Sequence, residues 1–314
     1  MKIVEAKEVF ERLDMKTCIG LMREALKGLA EGTAFQPLRS IHVLPQGEKF
    51  GFMPAYLGPD SCYGSKIVVA CPQNAGTEYP SHIGYVMVFE SAHGQVTGLA
   101  DAGAITQIRT GAVSAVATDL LARPESSHLA IIGAGAQGRS HLEAMLCVRP
   151  VRKVTVYDLY PEAAKRFAQE MGEKFSVSIQ VCPSVKEAVA GADIICTVTP
   201  SKEAYLEAEW VKPGAHVNAV GTFTPTTREV TSKLVQISSL FADETEACRK
   251  ESGEYLIPLQ ESLIGEDHIK GSIGELLLGR IAGRTSPEEI TLFDALGQAV
   301  EDVACGMYLC GTKA

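Results

Sequence analysis

No CxxC pair, no HExxH or related histidine spacing and no low-complexity tract occurs in these 314 residues. Without clustered Cys or His, neither a structural zinc site nor a zinc hydrolase centre is expected, and no metal is assigned. The nine cysteines are scattered, Cys305 and Cys310 being the nearest pair. An odd, dispersed set reads as reduced, mostly buried thiols of a cytoplasmic protein, not as a disulfide framework. A basic excess is missing too: the net charge is −9, which argues against nucleic acid or an anionic membrane surface as partner. No apolar run approaches the roughly 18 residues of a membrane span. The opening "MKIVEAKEVFERLD" carries acids throughout and no apolar core segment, so it does not read as a signal peptide.

What is present is ordinary globular composition, 46% hydrophobic and 21% charged, over a length that suits two domains. "TCIGLMREALKGLAEG" places Ile19, Met22, Ala25, Leu26 and Leu29 on one helical face, and Gly32 can end the helix. Four short segments rich in β-branched and aromatic residues follow, "RSIHVLP", "KFGFMPAY", "CYGSKIVVACP" and "HIGYVMVFES". After the turn at Ser91–Gln95, "VTGLAD" continues the sheet, which gives a mainly antiparallel α+β unit. "TQIRTGAVSAVATDLLARPES" reads as a long helix of small residues joining two units. From His128 the rhythm becomes strand–helix alternation, the pattern of a Rossmann-type doubly wound parallel sheet. "PEEITLFDAL" supplies a last strand and "GQAVEDVACGMYLC" a last helix. The expected division is an α+β domain over 1–115, a Rossmann domain over 116–296, and a terminal helix, 297–314, packing back on the first domain.

The strongest chemical signal is "HLAIIGAGAQGRSH". Gly133, Gly135 and Gly138 form GxGxxG after a strand and at the opening of a helix, the context that makes the pattern specific for a dinucleotide. The helix start offers free N–H groups and the positive end of the helix dipole to a pyrophosphate. Asp158 ends the next strand, 25 residues after Gly133. An acid there accepts from a ribose 2′-OH and repels a 2′-phosphate, so NAD(H) is favoured and NADP(H) is the secondary choice.

Three cations form a second signal. Arg39 precedes an apolar strand, and Lys66 and Arg109 have small or apolar neighbours on both sides. A buried cation requires an anionic partner. Two partners fit: internal carboxylates, or the carboxylate of a bound substrate held by a bidentate Arg and a Lys point charge. A third feature is "NAVGTFTPTTRE". This strand end presents hydroxyls and Phe223 where hydrolytic sites place an acid or base.

Taken together, "PLRS", "FMPAY", "SKIVVACPQN", "ITQIRTGAVSAVAT", "IIGAGAQGRSH", "NAVGTFTPTTRE", "GELLLGRIAGR" and "TLFDALGQAVEDVA" resemble the ornithine cyclodeaminase/mu-crystallin family over nearly the whole chain. The resemblance implies a homodimer built through the first domain, a site between the domains, a nicotinamide cofactor and an amino-acid-like substrate. It places Arg39, Lys66 and Arg109 at the substrate carboxylate. Lys66 and Arg109 are then the catalytic candidates, with Phe223 and Asp302 as further substrate contacts, though Asp302 reads equally as a solvated or capping acid. Cofactor contacts are expected from Thr110, Gly133, Gly135, Ala136, Gln137, Gly138, Asp158, Thr197, Thr199, Val220 and Thr222.

The chain departs from the cyclodeaminase pattern at two positions. Phe223 stands where those enzymes carry a catalytic Asp, and Gly51 where they carry a Glu. Reduction of a C=N bond needs no activated water, so both losses fit a reductase of a small cyclic ketimino acid. Δ1-pyrroline-2-carboxylate or Δ1-piperideine-2-carboxylate would be the substrate. An alanine dehydrogenase-like enzyme, an ornithine cyclodeaminase and a non-catalytic, cofactor-binding crystallin-like protein are the alternatives.

Overall fold

The computed structural model describes residues 1–59, 61–74, 77, 79 and 82–311. The chain forms two compact units, one of Met1–Arg109 with Gly297–Ala314, the other of Thr110–Leu296. The division falls inside a helix and earlier than the expected break after residue 115.

The first unit opens with two elements that the sequence reading did not separate, strand β1 (Lys2–Val4) and helix α1 (Ala6–Arg12). Helix α2 (Met15–Glu31) follows; Asp14 caps it by accepting from Thr17 N at 2.9 Å, and Gly32 ends it at φ +80°. Strands β2 (Ser40–Val43), β3 (Lys49–Tyr56), β4 (Cys62–Ala70), β5 (His82–Glu90) and β6 (Val96–Asp101) then build a sheet of order β1-β6-β5-β4-β3-β2. All its pairings are antiparallel except β1 with β6. The helix α11 (Ala299–Cys310) lies on the buried face of that sheet. A Cβ added to Gly306 would stand 2.8 Å from both Val86 and Val88, so the helix sits closer than any larger residue there would permit.

Helix α3 (Ala102–Leu121) carries Arg109 in its first half and passes into the second unit. Nearly every side of its later turns is buried, which suits its small residues. A Cβ on Gly111 would lie 2.4 Å from Ser140 Oγ, so only glycine permits this helix contact.

The second unit alternates β7 (His128–Ile132), α4 (Ala136–Val148), β8 (Lys153–Tyr157), α5 (Pro161–Phe175), β9 (Ile179–Val181), α6 (Val185–Val189), β10 (Ile194–Thr197) and β11 (His216–Ala219). It continues through α7 (Ser232–Ile237), β12 (Ser239–Ala242), α8 (Thr245–Glu251), α9 (Gly253–Gln260), β13 (Ile269–Ser272), α10 (Ile273–Leu277) and β14 (Thr291–Asp294). The sheet order is β13-β12-β14-β11-β10-β7-β8-β9, with every pairing parallel. This is the doubly wound arrangement, and its strand order reverses between β7 and β10, where ligands bind in such sheets. The central strands are buried on both faces; β7 and β10 are mostly apolar, while β11 buries His216 and Asn218 against Thr291 and Thr118. The stretch from α7 to α10, with β12 and β13, is structure that the sequence rhythm did not announce.

None of the nine cysteines is in a disulfide; most are buried, and Cys147 is exposed. Among the described residues no helix is long and apolar enough to cross a membrane.

Candidate active site

The loop from β7 into α4 uses its three glycines for three different reasons. Gly133 has φ +111°, and a Cβ there would stand 2.8 Å from Val198 O. Gly135 caps α4, and a Cβ there would meet nothing within 4 Å, so its backbone faces open space. Gly138 would place a Cβ 2.2 Å from Gly133 O, which makes it the close-packing position. Ala136 and Gln137 are the first residues of α4. Asp158, just after β8, is fastened to the loop: Oδ2 accepts from Ala134 N at 2.7 Å and Oδ1 from Tyr160 N at 2.9 Å. Each carboxylate oxygen keeps a lone pair for a ribose hydroxyl. Open backbone at a helix start, with a fixed acid alongside, fits the pyrophosphate and adenosine ribose of a dinucleotide.

At the ends of β10 and β11 the structure corrects the reading of "NAVGTFTPTTRE" as a strand end without an acid. Glu229, the last residue of that stretch, folds back onto it. Its Oε1 accepts from Thr199 N, Thr199 Oγ1 and Tyr205 OH, each at 2.7 Å, and Oε2 accepts from Gly221 N at 2.7 Å. One carboxylate thus joins the segments leaving two neighbouring strands. Burial pushes the Glu229 carboxyl up, against the bonds donated by Tyr205 and Thr199. Gly221 must be glycine here, since a Cβ would stand 2.1 Å from Thr199 O and 2.7 Å from Glu229 Cδ. Glu229 is therefore committed to backbone and hydroxyl donors. An acid six residues beyond Phe223, in a run of threonines, was the available sequence signal.

The other strand-end candidates separate. Val220 and Thr222 are buried and Phe223 is 46% exposed, so Phe223 is not core filling. Thr199 is half-buried at the Glu229 junction. Thr197 is wholly buried within β10, and its hydroxyl donates to Asn218 O at 3.4 Å, which turns its side chain to the sheet. Thr110 is buried on α3.

Replacing Glu229 by Ala should loosen this junction. Each partly buried donor left without a partner costs about 1–3 kcal/mol. The KM for the nicotinamide cofactor should rise while the KM for the second substrate moves less. Glu229→Gln, which keeps one acceptor oxygen, should fall between. Steady-state kinetics of both variants decides this, and a cofactor KM equal to that of wild type in Glu229→Ala would contradict it.

In the first unit the predicted cations converge, and they are partnered. Lys66 points from β4 to the buried face of the sheet beside Met53 and Val86. Its Nζ lies 2.7 Å from Asp302 Oδ2. Arg109 Nε donates to Asp302 Oδ1 at 3.2 Å, and Nη1 donates to Glu301 Oε2 at 2.8 Å. Arg39 Nη2 donates to Gly297 O at 3.1 Å. Both acids come from the first turn of α11 and are wholly buried. Asp302 thus faces this cluster and is neither solvated nor a simple cap; Glu301, its neighbour in "VEDVA", was not singled out in the sequence.

Lys66 and Arg109 are set against Glu301 and Asp302, and Arg39 stands near enough to act on the Lys66 ammonium. Burial depresses the Lys66 ammonium, with Asp302 opposing and Arg109 and Arg39 reinforcing the fall. Burial also works against Arg109, but Asp302 and Glu301 hold it above its ordinary value. Asp302 is lowered: burial opposes its charge, and Arg109 and Lys66 outweigh burial. Arg109 keeps N–H groups on Nη2 and Lys66 keeps two N–H bonds, donors that suit a carboxylate.

The sequence model of the ornithine cyclodeaminase/mu-crystallin family matches residues 1–310. The chain is 39% identical over 274 residues to ketimine reductase mu-crystallin of Mus musculus, covering 87% of this chain and 83% of the mouse protein. It is 33% identical over 311 residues to Δ1-pyrroline-2-carboxylate reductase of Bacillus cereus, 98% of this chain and 95% of that protein. A solved structure of Thermococcus litoralis Δ1-pyrroline-2-carboxylate reductase in complex with NADH and L-proline matches with a TM-score of 0.95 and 34% identity. That match covers 99% of this chain and 97% of the other.

Proposed function

The chain belongs to the ornithine cyclodeaminase/mu-crystallin family, and from that premise we propose that it is an NAD(H)-dependent reductase of a small cyclic ketimino acid. Δ1-pyrroline-2-carboxylate, giving L-proline, is the first substrate, and Δ1-piperideine-2-carboxylate, giving L-pipecolate, its ring homologue. The observation that carries this reading is the buried cluster of Lys66 and Arg109, set by Asp302 and Glu301 with N–H donors left for a further acceptor.

When bound, the nicotinamide supplies the hydride. The chain's own residues have three tasks. Arg39 and the free edge of Arg109 hold the substrate carboxylate and so fix the imine carbon in place, a positioning effect that lowers the barrier. Lys66, its ammonium aligned by Asp302 and its acidity increased by burial, keeps the imine nitrogen protonated. The protonated imine carbon is then already electrophilic. Phe223 stands where the deaminating members of the family carry an acid, so that chemistry lacks its acid at this strand end. Gly51 lies on the same face of β3 as Met53, the cross-strand neighbour of Lys66, so the missing glutamate would have stood at this cluster.

Homodimerisation belongs to the same proposal. The outward face of the six-stranded sheet is apolar and only partly covered: Phe52, Ile67, Met87 and Leu99 are half-buried and Ile83 is 45% exposed. A second copy would cover that face.

The test is an NADH-oxidation screen. Δ1-pyrroline-2-carboxylate or Δ1-piperideine-2-carboxylate should be turned over, with a higher kcat/KM for NADH than for NADPH because of Asp158. Turnover of pyruvate only when ammonia is present would replace this reading with an amino-acid dehydrogenase. Release of proline and ammonia from ornithine would replace it with a cyclodeaminase.

A further inference from the structure

We propose that Gln298 is a specificity-determining residue of this site, its side-chain amide donating to the carboxylate of the imino acid beside Arg39 and Arg109. The orientation of the neighbouring amide fixes its role. Val300 N donates to Gln36 Oε1 at 3.0 Å, so Gln36 must present its nitrogen elsewhere, and Gln36 Nε2 donates to Gln298 Oε1. That engages the oxygen of Gln298 and leaves its Nε2, which can only donate. The residue is 3% exposed, and Nε2 has no hydrogen-bond partner among the described residues. Orphaned buried donors of this kind are rare in native proteins and mark places where an acceptor binds.

The surroundings point to an anionic acceptor. The preceding residue, Gly297, lies against Arg109: a Cβ there would stand 2.5 Å from Nη1 and 2.8 Å from Nη2. Gly297 O accepts from Arg39. Gln298 is also the N-cap of the twelve-residue helix α11; its own side chain makes no capping bond, and of the first-turn N–H groups that of Val300 is taken by Gln36. The two acids of the first turn, Glu301 and Asp302, are engaged by Arg109 and Lys66. An NH₂ group at this point adds a neutral, directional donor to a site whose other donors are cations. It favours imines bearing an adjacent carboxylate over cyclic imines that lack one.

This inference rests on the imine-reductase reading, and the experiment separates the two. Gln298→Met removes the donor at similar volume. Gln298→Glu keeps the acceptor for Gln36 and places a carboxylate oxygen where the donor was, which covers the case in which the first variant does not fold. Loss of a hydrogen bond to a charged group predicts a KM for Δ1-pyrroline-2-carboxylate about ten- to a hundredfold higher in Gln298→Met. The rise should be larger in Gln298→Glu, with kcat little changed and the KM for NADH unchanged in both. An imino-acid KM equal to that of wild type, or an equal rise in the KM for NADH, overturns the proposal while leaving the reductase reading in place. If wild type reduces no imino acid, the reductase reading fails. Thermal-shift titration with L-proline and pyrrole-2-carboxylate in the presence of NAD then decides the role of Gln298. A rise in Tm in wild type that is absent from Gln298→Met supports the donor. An equal rise in both, or none in wild type, overturns it.

Discussion

Arg109→Leu should give a protein less stable by about 3–5 kcal/mol, because the change leaves two buried carboxylates facing a lost partner. Glu301 Oε2 loses the Nη1 bond and Asp302 Oδ1 loses the Nε bond, and both side chains are wholly buried. Lys66 remains beside Asp302 but reaches the other oxygen, so it does not replace the guanidinium. In the folded fraction, kcat/KM for the imino acid should drop by roughly one and a half to more than three orders of magnitude, the range for truncating one member of a buried charged pair. Arg109→Lys keeps the charge without the planar fork and should recover part of the stability but little of the activity. Urea unfolding together with kinetics at saturating NADH checks both halves. A variant as stable as wild type would show that the Arg109–Glu301–Asp302 group is not a buried ion cluster at all.

Asp294→Asn should change stability by an amount that depends strongly on pH. Asp294 ends β14 and is wholly buried; Cys248 Sγ donates to its Oδ2 at 3.4 Å, and Oδ1 has no hydrogen-bond partner among the described residues. Burial pushes its carboxyl up to about 7 from 3.8, with Ser252 and Cys248 opposing and Asp243 and Glu229 adding repulsion. The folded value lies above the unfolded one, so the folded state binds the proton more tightly. The stabilising contribution is therefore complete below about pH 3.8 and is lost as pH rises through 7. Asparagine does not titrate. Relative to wild type, the variant should gain on the order of 4 kcal/mol between pH 4 and pH 8, about 1.4 kcal/mol for each unit of displacement. Unfolding free energies of the two proteins across that interval give the difference directly, and a difference independent of pH would mean that Asp294 is ionised in both states. The same cluster contains Glu229, so a rising pH that charges Asp294 should also weaken the junction between Thr199 and Gly221.

The local periodicities of this chain were enough to define most elements of the first unit and the start of the cofactor fold. The face of α2, the cap at Gly32, the strands from Ser40 to Asp101 and the glycine turn after β7 are all local features, set by side-chain spacing and by backbone conformations that only glycine adopts readily. Segments with mixed signals were not legible. The helices of five to eight residues and the four-residue strands between Ser232 and Leu277 are too short to show a period, and packing around them determines their state. The site divides along the same line. Three cations with apolar neighbours announced a need for anions, but the residues alone left both internal acids and a bound substrate open as partners. Folding brings Glu301 and Asp302, nearly two hundred residues away, against Arg109, as separations of 192 and 193 positions record. It likewise returns Glu229 to a strand end that looked free of acids, and turns the amide of Gln298 by way of Gln36. A cation's requirement for a counter-charge is a property of the residue and can be read from its neighbours in sequence. Which carboxylate or amide meets that requirement depends on distance in space, and that is fixed only when the chain packs.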